Sequence, residues 1–158
     1  MMTTGRRVLT PKQLAAQVHQ RLETPAEWVA QVRLDLEGRW FEQIHVDGVY
    51  ELWLISWMPG QSTGFHGHGG ANGAFGVVWG ELDECVVPRD GASALVNRVG
   101  SGMVRSFGPR YIHDVRNSSG TAVAVTVHAY SPPLSTMTRY DLTPSGLVAS
   151  GTESQDDW

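Results

Sequence analysis

His66 and His68 stand two residues apart, a spacing that turns both imidazoles to one face wherever the chain is extended. Two nitrogen donors about a side chain apart begin many metal sites, although such a pair by itself serves packing equally well. Farther on, Gly102, Pro109, His113 and Asn117 form a spaced series that carries a third imidazole. Thr126, His128 and Tyr130 alternate along one stretch, so a hydroxyl, an imidazole and a phenol share one strand face. Groups in that order can hold one another in a hydrogen-bonded relay. Taken alone, the same face also suits solvent.

Gly60 lies six residues before His66 and Gly80 twelve after His68. With the later series, this resembles the two cupin motifs over about residues 55–120, with one residue of offset on each side of the proline. The resemblance implies an all-β cupin, a jelly-roll barrel that folds His113 against His66 and His68 as three metal ligands. The cupin glutamate expected five residues after His68 is Gly73 here. Three neutral imidazoles without a carboxylate leave a divalent ion's charge uncompensated and three octahedral positions open. A thiolate answers both needs, as an anion and a soft donor, which points to a thiol and O2 as substrates rather than an α-keto acid.

Ser131-Pro132-Pro133 follows the Thr126, His128 and Tyr130 face. The combination resembles the cysteine dioxygenase family over about residues 38–142, whose serine–histidine–tyrosine relay precedes Ser-Pro-Pro; Thr126 keeps the hydroxyl of the family's serine. The resemblance implies Fe(II) on His66, His68 and His113. It implies addition of both atoms of O2 to the sulfur of a small thiol, L-cysteine giving cysteine sulfinate. It makes Tyr130 the catalytic hydrogen-bond donor to the reacting oxygen or substrate, oriented by His128 and Thr126, and it implies a cis Ser131–Pro132 bond. Some members join this tyrosine to a cysteine at the position of Gly73, so no such link is expected here, and Cys85 is expected to be a buried spectator.

A substrate carboxylate would suit an arginine fork. Cysteine dioxygenases place that arginine on an early strand; 3-mercaptopropionate dioxygenases have glutamine there and an arginine nine residues after the relay tyrosine. This chain has Gln43 and, nine residues after Tyr130, Arg139, the mercaptopropionate pattern. A hairpin of different length leaves Arg39 as the alternative. The choice between the two thiols stays open. So does a rival of another class, a metal-binding cupin module without turnover, which the ordered Thr126, His128 and Tyr130 face argues against.

The elements that must position these groups are legible in outline. Thr10-Pro11 starts a helix carrying Leu14, Val18 and Leu22, and Thr24-Pro25 starts a second with Trp28, Val29, Val32 and Leu36. From about residue 40 the period drops to two, giving eight or so short strands. Turns are marked by Asp47-Gly48, Gly80-Glu81, Arg89-Asp90-Gly91, Gly100-Ser101-Gly102 and Gly108-Pro109. The expected plan is one domain over 1–158, helical at 10–37, barrel at about 38–142, with a frayed polar tail at 143–158. Trp53, Trp57, Phe65, Phe75 and Trp79 are expected to wall the barrel.

The 158 residues suffice for one core without a disulfide or metal to fold it. Net charge is −4 without long runs of one sign, which argues against nucleic acid and against a membrane face. One cysteine excludes an intrachain disulfide and fits a reducing, cytoplasmic compartment. Basic residues near the start have no apolar run behind them, so no signal peptide or membrane span is expected. A monomer or small homo-oligomer is the expected state.

Overall fold

The computed structural model describes residues 5–88 and 93–154. Helix α1 spans Pro11–Glu23 and is closed by reciprocal bonds: the Thr10 hydroxyl accepts from the Gln13 amide, and the Gln13 side chain accepts from the Thr10 amide. Its buried Leu14 and Val18 lie on the sheet that follows.

Eleven strands are described: β1 Trp40–Val46, β2 Glu51–Trp57, β3 Phe65–His66, β4 Asn72–Trp79, β5 Glu81–Val86, β6 Leu95–Gly100, β7 Val104–Phe107, β8 Asp114–Arg116, β9 Ala124–Ser131, β10 Thr136–Thr143 and β11 Gly146–Ser154. They form a five-stranded sheet in the order β1-β2-β9-β4-β7 and two three-stranded sheets, β11-β10-β3 and β6-β5-β8. The named pairs are antiparallel. This is the all-β cupin barrel.

The period of two decides which side chains reach the barrel interior. On β2, Trp53 and Trp57 belong to the inner cluster, whereas Leu52 and Leu54 belong to the cluster under α1. On β9, Val127 and Ala129 face the helix side while Ala124 and Tyr130 face inward. One sheet therefore separates two cores, and a one-residue slip would exchange them. Gly76 on β4 lets the helix come close, since a Cβ there would sit 2.7 Å from Val18 Cγ1.

Several expectations are corrected. The second helix is two 3₁₀ turns, Pro25–Glu27 and Val29–Gln31, and Leu36 is exposed. Trp28 explains the break: its ring is buried in the outer core and its indole N–H donates to the Arg21 carbonyl at 2.9 Å, holding the end of α1. The chain then runs extended, tied by Ser56 to the Arg33 carbonyl and by Gln61 to the Asp35 carbonyl. The expected frayed tail is instead strand β11, paired along the whole of β10 as far as Ser154. Trp79 is 44% exposed and packs against Trp28, outside the barrel, and Phe65 is only half-buried. Cys85 is half-buried on β5. The turn expected at Arg89-Asp90-Gly91 lies outside the described residues.

Candidate metal centre

Short strands bring the three histidines together. His66 ends β3, whose partner is β10 through Arg139↔His66. The His66 and His113 backbones also bond to each other, each amide donating to the other's carbonyl at 3.0 and 3.2 Å. His68 lies just past β3, where the Ala71 amide bonds its carbonyl and closes the turn. All three side chains are buried, and one ligand nitrogen of each lies within 4.8 Å of the others.

The contacts of each ring leave a nitrogen available. His66 Nδ1 lies 2.9 Å from the Gly64 carbonyl, which can only accept, so the proton sits on Nδ1 and Nε2 keeps its lone pair. His113 Nδ1 lies 2.9 Å from Glu84 Oε2, which accepts its hydrogen bond and leaves Nε2 as the ring's other nitrogen. Among the described residues neither nitrogen of His68 has a partner in good hydrogen-bond geometry, the Tyr111 backbone being a polar neighbour, an expense that a bound cation would reduce. These donors fit a metal ion. Burial, with the neighbouring rings adding to it, holds His66 and His68 well below the usual histidine range, so both are neutral as a metal requires.

Among the described residues no acid stands with the three donors, but one stands directly behind His113. Glu84, fully buried on β5, was not singled out by any sequence pattern. Burial alone would raise its carboxyl; the His113 contact, the Tyr111 hydroxyl and the charge of Arg105 bring it below the usual carboxylate range. Arg105 Nε lies 3.4 Å from Oε1, an ion pair without hydrogen-bond geometry. At Gly73 a Cβ would collide with the Phe107 ring and come within 3.2 Å of the Tyr130 ring. An intact-mass measurement is therefore expected to match the sequence mass, with no loss of two hydrogens.

Thr126, His128 and Tyr130 face inward on β9 as a chain. Thr126 Oγ1 is 2.7 Å from His128 Nε2, and the Tyr130 hydroxyl is 3.4 Å from His128 Nδ1. Trp57 extends the chain: its indole N–H donates to Thr126 Oγ1 at 2.9 Å. The hydroxyl's own proton can then go to His128 Nε2; in that tautomer the imidazole proton lies on Nδ1 toward Tyr130 and the phenol proton is left to donate elsewhere. Burial and the Glu51 charge keep the phenol protonated, and burial lowers His128 to about 3.

These shifts carry a stability consequence. Below pH 6.5 the unfolded chain protonates histidines that the fold keeps neutral, so stability falls as pH drops toward about 3. Each of His66, His68 and His128 contributes at most about 1.4 kcal/mol per pH unit in that window. The metal-free protein is expected to melt progressively earlier from pH 7 to pH 5; a flat profile would show that these rings protonate without unfolding.

A cavity of about 60 Å³ adjoins the histidines. It is lined by His66, His113, His128 and Tyr130, by Arg39 and Arg139, and by apolar side chains including Ile55, Leu134 and Met137. Arg39 lies 5.3 Å over the Trp57 ring and makes no ion pair among the described residues. Burial, and then the nearby Arg139 charge, lower its pKa. Arg139 is already engaged: Nε and a terminal nitrogen each lie 2.9 Å from Glu153 Oε2 on β11, and its other terminal nitrogen donates to the Thr63 carbonyl. Gln43 is outside the lining and donates to Glu51 at 2.9 Å.

Comparison with known proteins agrees with the barrel. A solved structure from Thermus thermophilus, that of TT1209, matches with a TM-score of 0.58 and 20% identity, covering 66% of this chain and 93% of that one. A Klebsiella pneumoniae protein with a double-stranded beta-helix domain matches with a TM-score of 0.57 and 15% identity, covering 78% and 93%. In sequence, cysteine dioxygenase type 1 of Bos taurus is 26% identical over 127 residues, 74% of this chain. The match spans 62% of the bovine protein's length. Residues 6–143, which hold all three histidines, the relay and both cavity arginines, match the family description Cysteine dioxygenase type I. A cupin barrel with that constellation and that match places the chain in the cysteine dioxygenase type I family.

Proposed function

We propose that this protein is an iron(II)-dependent thiol dioxygenase that converts a three-carbon thiol carboxylate to its sulfinate, with His66, His68 and His113 holding the ion. The carrying observation is the shared cavity. Three imidazoles, a protonated phenol and a guanidinium without an ion pair among the described residues line or adjoin one space of about 60 Å³, room for about four to six waters or one small molecule. A bulky ring substrate does not fit such a volume.

Bound iron(II) would bring a thiolate and dioxygen together and activate the dioxygen; the four electrons that both oxygen atoms take up come from the sulfur. The protein's own contribution is binding and orientation. Arg39 holds the substrate carboxylate through its planar fork, its position set by the Trp57 face. Tyr130 donates a hydrogen bond to the reacting oxygen or substrate, positioned by His128, Thr126 and Trp57. Ile55, Leu134 and Met137 exclude water from the cavity.

L-Cysteine is the first substrate to test, because the early-segment Arg39 is the cavity cation not already held by an acid among the described residues. A second reading, 3-mercaptopropionate, is favoured by the lining itself, which holds two guanidinium groups and no acidic side chain to receive an ammonium. Iron-loaded protein supplied with L-cysteine, 3-mercaptopropionate and cysteamine is expected to consume oxygen and release sulfinate with one of the first two and to neglect cysteamine, which lacks a carboxylate. Absence of oxygen uptake with every thiol would favour a binding module.

A further inference from the structure

Glu84 is the buried charge that neither the relay nor the cavity uses. It sits at 0% exposure on β5, where Glu84 faces Val115 of β8, two residues beyond His113. If its role were packing or strand pairing, an apolar residue of similar size would serve at lower cost, because a buried carboxylate must recover its lost hydration. Its contacts are directional. Oε2 takes the Nδ1 proton of His113 at 2.9 Å, while Arg105 at 3.4 Å and the Tyr111 hydroxyl hold the carboxylate from other sides. The group is thereby fixed against one ligand ring and no other.

We infer that Glu84 is a positioning residue of the metal centre: its carboxylate locks His113 with Nε2 free toward the ion and supplies, one imidazole away, the negative charge that the three-histidine set lacks. A carboxylate behind a ligating imidazole raises that ligand's basicity and sets its ring orientation. Arg105 reaches the same carboxylate from the half-buried surface of β7 and limits how much of that charge the ring receives. The inference rests on the proposed metal site but not on the thiol chemistry.

The test uses the full chain stripped of metal and titrated with Co(II), without thiol, following affinity and the visible d–d bands. Glu84→Gln keeps an acceptor for the His113 proton but removes the charge, and is expected to bind Co(II) about tenfold more weakly with a shifted spectrum. Glu84→Leu removes both and is expected to lose about a hundredfold. Glu81→Gln, which touches only surface Arg98, is the control and stays at the wild-type value. Thermal melts of the metal-free variants identify any that fail to fold; Glu84→Gln, nearly isosteric, carries the decision if Glu84→Leu does. Wild-type affinity within twofold and an unchanged spectrum in Glu84→Gln would overturn the inference alone. A wild-type chain that ignores Co(II) would overturn it together with the metal reading.

Discussion

His68→Ala is expected to lower metal affinity by well over a hundredfold and to bring thiol-dependent oxygen uptake to background, while the metal-free barrel melts within a few degrees of wild type. Loss of a hydrogen-bonded partner behind a ligand already costs roughly 10–100-fold, so loss of a ligand must cost more. The choice of His68 over its neighbours is what keeps the result interpretable. His113→Ala would leave Glu84 as a buried carboxylate short of its main partner, which costs roughly 3–5 kcal/mol in comparable cases. Among the described residues His68 leaves no buried charge behind when it is removed, and the desolvation recovered from its ring offsets part of the cavity left behind. Calorimetry with a divalent ion, run beside a thermal melt, separates the outcomes. A variant that binds metal as well as wild type would remove His68 from the ligand set.

Arg39→Ala is expected to raise the substrate's KM roughly 30-fold with kcat little changed, the result of losing one charge-assisted carboxylate pair of about 2 kcal/mol. The reasoning compares two guanidinium groups in one cavity. Arg139 gives two of its nitrogens to Glu153 and the third to the Thr63 carbonyl, so a substrate would have to compete with contacts already made. Arg39 lies over the Trp57 face and has no ion pair among the described residues. Arg139→Ala should therefore show up first in the thermal midpoint, through the loosened β10–β11 pairing, with a KM change below about fivefold on the scale of a partly exposed pair. Steady-state kinetics on both variants with both thiols decides. An equal or larger KM effect from Arg139→Ala would move the carboxylate to β10 and strengthen the mercaptopropionate reading.

Much of this arrangement was legible because its signals are local. His66 and His68 two apart, and Thr126, His128 and Tyr130 in alternation, are read directly as shared faces. What escaped depends on pairing across the fold. Glu84 follows the acids Glu81 and Asp83 in a run that looks solvated; the available clue was parity, since Leu82 and Glu84 share a strand face and Leu82 is core. Glu153 escaped because β11, apart from Leu147 and Val148, is mostly small and polar with two glycines, and it holds its place by pairing with β10 more than by preference. The second helix failed for a related reason: the apolar spacing of Trp28, Val29 and Val32 suits a helix, but burying one indole against the sheet outweighs continuing the turn.

Trp57 has its N–H in the chain that ends on Tyr130 and its ring beneath Arg39. The two groups proposed to meet a substrate are thus surveyed from a single fixed benchmark on β2. Homologues could drift in the sizes of Leu134 and Met137, re-tailoring the pocket for a longer or shorter thiol, without re-aiming either group. Evolution of substrate range in such a barrel would be recorded on that apolar side, and the indole would change last.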